Sequence, residues 1–319
     1  MKTTLRTLQA SLLAALSLSG CQALAADSGG FATTTGGDSY TAVTVSTLSQ
    51  LKNAVSSGQH HIIVSGTIYG GAGLTTLTFS SLANNNTTIE GAAGGKAALE
   101  NIQLKFDGEL LPAGTNIQNI KIANLSFFGK IADLQAMPAQ IFGSSDSSRL
   151  AGINYEGISF RRITNGLVTH CNIYDTSDDL MSVALSSDYI TLSYNHLWFS
   201  DSWVNMSPDP VWNWVGYYTD LADERLAMVI GANSGDSWQA TKKLHVTLHN
   251  NWIGPNMRGR PLFRGWIHAY NNYFDNSETY ADTDQNTGTD GKKYPKKQYE
   301  ALQVSSGSVV YSEANSFRN

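Results

Sequence analysis

Four short segments of this chain repeat one pattern. HCNI at His170, YNHL at Tyr194, HNNW at His249 and YNNY at Tyr270 each set a His or Tyr before a pair ending in Asn or His and then a large apolar residue. These anchors step by 24, 55 and 21 residues, and EANSF at Glu313 follows 43 residues after Tyr270. A period in the low twenties, with short strands and asparagine at a recurring place, is the mark of a parallel β-helix. Each coil cannot bury its inner face alone, so neighbours stack into one continuous core. Asparagines inside one turn then hydrogen-bond along the stack. The middle step holds one coil plus a long insertion. An antiparallel sandwich is the competing fold, but it calls for tight two-residue hairpin turns, of which this sequence has almost none.

One amphipathic helix stands out from the strands. TVSTLSQLKNAVSS places Leu48, Leu51 and Val55 at helical spacing, with Ser46, Thr47 or Ser49 as N-cap. It is expected to cover the open N-terminal end of the solenoid, where bare strand edges would invite aggregation. The fold class expected is therefore all-β: a single-domain solenoid with an N-terminal capping helix.

Charged residues make up 15% of the chain and the net charge is −5, which argues against a nucleic-acid partner. The first residues read as an export signal. Lys2 and Arg6 precede an apolar run from Leu8 to Leu18 that is too short for a comfortable transmembrane span. Cleavage after Ala25 makes residues 1–25 a signal peptide and 26–319 the mature domain of a secreted protein. LSGC at Leu18–Cys21 offers the alternative of an outer-membrane lipoprotein with signal 1–20, anchored at Cys21. After cleavage at Ala25 only Cys171 remains, so the fold must stand without an intrachain disulfide.

Several segments, in order, resemble the pectate lyase and pectin lyase family of polysaccharide lyases. GFATTTGGDSYTAVTVSTLSQLKNAV resembles its entry segment, NTTIEG its first internal coil, SSDYITLSYNHL its long central strand, and RGRPLFRGWIHAYNNYF its arginine segment followed by a strand. The resemblance runs from about Gly30 to the end. It implies a right-handed parallel β-helix with a substrate groove on one face, acting as a monomer on a pectic polysaccharide, polygalacturonate or pectin.

The resemblance also implies site residues. The family's arginine segment carries its base, and here that place falls on Arg258 or, with a shifted register, Arg260; Arg258 is preferred. Arg264 falls on the carboxylate contact and Arg225 near the groove cation. Calcium ligands are expected at Asn154, Glu156, Asp178 and Ser182, with Asp179 as a nearby substitute. Only two of these four positions keep a carboxylate, and Thr169 replaces an acid of the family pattern. Calcium prefers six to eight oxygens, several of them charged. In the insertion, Trp203, Trp212 and Trp214 are candidates to stack on sugar rings along a groove.

The implied reaction is β-elimination. A base removes the proton at C5, charge develops on the adjacent carboxyl, and the bond to O4 breaks, so cations around that carboxyl are required. Arginine is a poor base, and crowded cations with little solvent are the expected means of loosening its proton. The retained acids favour a calcium-assisted pectate lyase; Ser182, Thr169 and the tryptophans favour a calcium-independent enzyme for methylated pectin. A non-catalytic glycan-binding β-helix is the reading from another class. A β-helix hydrolase would need paired carboxylates at a defined separation, and no convincing pair stands in the later coils.

Overall fold

The computed structural model describes residues 29–141, 155–213, 220–259, 261–277 and 301–318, together with the short strands 285–287 and 293–295. The signal readings at residues 1–25, Cys21 included, and the candidates Asn154, Trp214 and Arg260 lie outside the described residues.

The chain winds as a parallel β-helix. Three parallel sheets of nine, eight and seven strands run along it among the described residues. The nine-stranded sheet A extends from Val43–Val45 to Val309–Glu313, the eight-stranded sheet B from Thr67–Tyr69 to Ser316–Arg318, and the seven-stranded sheet C from Thr75–Phe79 to Gln303–Val304. Each coil visits C, then A, then B. Crossovers between parallel strands are overwhelmingly right-handed, the hand the family resemblance implies.

Side chains alternate across each strand. In sheet C the inward positions form one apolar column, Phe79–Phe106–Phe160–Val183–Ile230–Phe263, joined by direct register. All six are buried, and Phe79 stacks on Phe106 at 4.2 Å. The expected helix forms as α1, Leu48–Ser56, with Thr47 as its N-cap accepting from Gln50 N. It buries Leu51 and Ala54.

The asparagine stack is present, one residue displaced from the anchors read in the sequence. Asn195, Asn251, Asn272 and Asn315 are the equivalent residues: each side-chain oxygen accepts from the backbone N–H of the matching residue one coil earlier, at 2.8–3.0 Å. The steps from Cys171 are thus 24, 56, 21 and 43 residues. The amide nitrogens of Asn195, Asn251 and Asn272 donate to the next asparagine at 2.9–3.1 Å. Before each ladder residue the chain turns through a left-handed conformation, at His170, Tyr194, Asn250, Asn271 and Ala314. His170 and Tyr194 therefore occupy the turn, whereas His249 and Tyr270 end the preceding strands. The sequence pattern merged two adjacent positions because His and Tyr recur at both.

Residues 29–38 run across sheet A. Phe31 N donates to Thr247 Oγ1, Ala32 N to Thr191 Oγ1, Thr33 N to Asn165 Oδ1 and Gly37 N to Thr88 Oγ1, and Asp38 pairs with Lys121 at 2.6 Å. This strap leaves the outer face of sheet C as the polar face with open clefts.

Candidate active site

Sheet C holds seven strands: β1 Thr75–Phe79, β2 Ile102–Asp107, β3 Ile158–Arg161, β4 Met181–Ala184, β5 Met228–Ile230, β6 Leu262–Phe263 and β7 Gln303–Val304. The candidate residues gather at the entrance edge of the central four. Glu156 precedes β3, Asp178 and Asp179 precede β4, Arg225 precedes β5, and Arg258 precedes β6. The sequence separates these residues widely, and the coil repeat brings them to successive rungs of one edge.

The acidic half lies on β3 and β4. Ser159 and Ser182 are register partners on the outer face. Their hydroxyls meet at 2.9 Å, and Ser182 Oγ donates to Glu156 Oε2 at 2.7 Å. Burial, and then the neighbouring Asp178, push the Glu156 carboxyl up to about 7, against the stabilising hydroxyls of Ser182 and Ser159. Asp178 Oδ1 accepts from Asp179 N at 2.8 Å, and both acids are buried. A cleft of about 370 Å³, lined in part by Gln103, Lys105, Ser159 and Arg161, opens over β1–β3 beside Glu156. Lys105 pairs with Asp107 and Arg161 with Glu109.

A cation between Glu156 and Asp178 would relieve their repulsion, and Ser182 adds a neutral oxygen. Among the described residues, no group of three or more His, Cys, Asp or Glu side chains is arranged to hold a metal. The donor set therefore fits calcium in part, with two charged ligands and short of the usual six to eight oxygens.

The basic half follows on the next two rungs. Leu226 bridges Gly259, and one residue earlier Arg258 N donates to Arg225 O at 2.9 Å. Met257 is buried in the core cluster, so alternation directs Arg258 to the outer side of the sheet. Its guanidinium Nη1 lies 2.9 Å from Asp223 Oδ1, with each side chain 3% exposed. Asp223, at the end of the insertion, is thus the partner of Arg258. The crowded-cation expectation changes with it, because carboxylates of Asp223 and Glu224 are buried beside these arginines.

Arg225 is itself fully buried, its Nη1 donating to Asn256 O at 2.9 Å. It is thus not, in this structure, a cation laid over the groove. Arg264 leaves from the far end of β6 and donates to Gly231 O at 2.6 Å. It lies on the same side as Arg258 by alternation, but at most roughly 20 Å along the chain.

The tryptophan reading is corrected for two of its three residues. Trp203 and Trp212 are completely buried members of the hydrophobic core. The insertion folds these two side chains inward, because burying such large apolar surface outweighs displaying it. Ser159, which sequence reasoning missed, was signalled by the alternation of Ile158-Ser159-Phe160-Arg161 alongside Met181-Ser182-Val183-Ala184.

A parallel β-helix whose one sheet edge carries buried acids on two rungs and buried arginines on the next two has the form of a β-helix polysaccharide lyase. Residues 218–319 match the family model described as pectate lyase. A curated "Probable pectate lyase B" of Aspergillus flavus is 24% identical over 251 residues, 76% of this chain and 58% of the relative. "Pectate lyase 1" of Hesperocyparis arizonica is 29% identical over 128 residues, 40% of this chain and 28% of the relative. The chain thus spans less than two thirds of the length of these curated relatives. Among solved structures, a pectate lyase from Bacillus sp. N165 in complex with trigalacturonate superposes with a TM-score of 0.55 at 19% identity, covering 91% of this chain and 87% of that one. Another pectate lyase structure, described for its substrate specificity and anti β-elimination mechanism, gives 0.57 at 17% identity, covering 89% and 76%. The chain thus resembles pectate lyases, in sequence over residues 218–319 and in fold over most of its length.

Proposed function

We propose that this protein is an exported pectate lyase, a single β-helix domain over residues 26–319, that cleaves polygalacturonate by β-elimination. The observation that carries the reading is the arrangement along one edge of sheet C, with Glu156 and Asp178 on two rungs and Arg225 and Arg258 on the next two. A polymer lying along that edge would pass the acids and then Arg258, with Arg225 buried between them.

In this mechanism Arg258 faces C5 and, in its neutral form, takes the C5 proton to become the guanidinium paired with Asp223. Electron density moves onto the C6 carboxyl, a double bond forms between C4 and C5, and the bond to O4 breaks. Arg264 supplies a cation for a substrate carboxylate. The developing carboxyl charge is where fixed cations lower the barrier. Arg260 is the alternative base if the register is shifted, and Trp214 the remaining candidate for ring stacking. Calcium would be held by Glu156, Asp178 and Ser182, with Asn154 and Asp179 as further donors, and would supply positive charge beside the substrate carboxylate. The acids' own part would be to hold that cation in place and, by their burial, to limit water around it.

A second reading has one observation in its favour. Ser182, a neutral hydroxyl donating to Glu156 Oε2, stands where the family resemblance calls for a charged ligand, and a methyl-esterified polymer brings no carboxylate that needs a metal. On this reading the protein is a calcium-independent pectin lyase. The two readings separate on polygalacturonate and highly methylated pectin, each with and without a chelator, followed by the ultraviolet absorbance of the unsaturated product. Chelation is expected to stop turnover of polygalacturonate. Turnover that survives chelation and prefers methylated pectin selects the second reading, and no absorbance on either polymer refutes both.

A further inference from the structure

We propose that Asp223 is a positioning residue for Arg258, and that delivering it is the work of the long insertion. The inference rests on the reading of Arg258 as the base. Successive ladder residues are 24, 21 and 43 residues apart elsewhere, but 56 separate Asn195 from Asn251. The extra chain ends at the helical turn Leu221–Asp223.

That turn is held by the insertion itself. Leu221 N donates to Pro210 O, Ala222 N to Asp209 Oδ1 at 3.0 Å, and Glu224 N to Leu221 O. Trp203 and Trp212 root the same insertion in the core. The Asp223 carboxylate is therefore presented from a fixed support. Arg258 is fixed at its backbone by the bond to Arg225 O and at its head by Asp223, 2.9 Å away.

A guanidinium is a planar fork of five N–H donors. A carboxylate on one Nη sets the plane of the fork and stabilises the guanidinium that forms as Arg258 takes the proton. Without it, the flexible arginine stem samples many orientations, and misplacement of a reacting group by about 1 Å costs on the order of a hundredfold in rate. The buried tryptophans gain a functional meaning here: they do not touch sugar, and they anchor the segment that aims the arginine.

The test is Asp223→Asn, which keeps the shape and removes the charge. With polygalacturonate, kcat is expected to fall about tenfold or more while KM stays within about twofold, since the contact acts on the transition state rather than on binding. In an Arg258→Lys background the same substitution is expected to add little, because two residues acting as a unit are not additive. A folded Asp223→Asn enzyme with wild-type kcat overturns the inference, as does an equal loss in both backgrounds. If Asp223→Asn does not fold, Asp223→Glu carries the test, because it keeps the pair but moves the carboxylate by one methylene. A lowered kcat at unchanged KM and melting temperature supports positioning, and wild-type kcat overturns it. Arg258→Lys with full activity removes the base reading itself. An inactive Arg258→Lys beside a fully active Asp223→Asn removes only this inference.

Discussion

Arg258 Nη1 lies 2.9 Å from Asp223 Oδ1, and both side chains are 97% removed from solvent, being 3% exposed. Breaking a buried pair by deleting one partner leaves a charge in a poor solvent, whereas replacing both by apolar groups can be neutral or stabilising. Arg258→Ala is therefore expected to lower unfolding stability by about 3–5 kcal/mol. The double variant Arg258→Met/Asp223→Leu is expected to recover most of that and to be inactive. Denaturant melts of the two check this; equal destabilisation would show that the pair does not govern stability here.

The asparagine ladder sets a second expectation. Asn251 accepts from Asn195 N and Nδ2 and donates to Leu192 O and Asn272 Oδ1, all buried. Asn251→Ala strands several of these groups at about 1–3 kcal/mol each, so a loss of roughly 3 kcal/mol or more is predicted. Asn315, in the final described coil, is partly exposed and donates to Ala269 O and Ser312 Oγ. Its alanine variant should cost less, and thermal melts that rank the two the other way would contradict the ladder's role.

Trp203 and Trp252 test the correction to the aromatic reading. Trp203 is fully buried, while Trp252 is 43% exposed and stacks on His196 at 4.1 Å. Trp203→Ala should cost about 3–5 kcal/mol of stability. Trp252→Ala should cost well under half of that. A stable Trp203→Ala enzyme with a raised KM for polymer would instead restore a ring-stacking role.

Asp175 gives the pH dependence. Burial pushes its carboxyl up to about 6, against the bonds it accepts from Ser200 N and Oγ. The folded state therefore holds this proton more tightly than the unfolded chain, whose aspartates titrate near 3.9. The carboxylate costs nothing below about pH 4, and its penalty grows between about pH 4 and 6 and is complete above. Asp175→Asn keeps both contacts to Ser200 and tolerates the left-handed backbone at φ 56°. The variant is expected to be about 3 kcal/mol more stable than the wild type at pH 7, the gap closing by pH 4. A gap that widens on acidification would contradict the sign.

The coil architecture was legible because four later coils carry one recurring segment at low-twenties spacing. The cap helix was legible because Leu48, Leu51 and Val55 share a face. The exact equivalences were not: His249 resembles His170 as a letter but ends a strand, whereas His170 makes the turn. Glu156, Asp178 and Ser182 came together as a set because each sits at the start of a strand in a regular coil. The Arg258–Asp223 pair was invisible because it joins one rung to the end of an irregular insertion, where no period relates the two numbers. Trp203 and Trp212 misled because an aromatic-rich loop reads the same in sequence whether it faces sugar or its own core.

The most direct measurement is the ultraviolet absorbance of unsaturated product from polygalacturonate with calcium, for the wild type beside Arg258→Lys, which keeps the positive charge next to Asp223. Arg258 as the base predicts steady product from the wild type and a loss of about a hundredfold or more in the variant, the scale expected when a proton acceptor is removed. Wild-type turnover by a folded Arg258→Lys enzyme would contradict it.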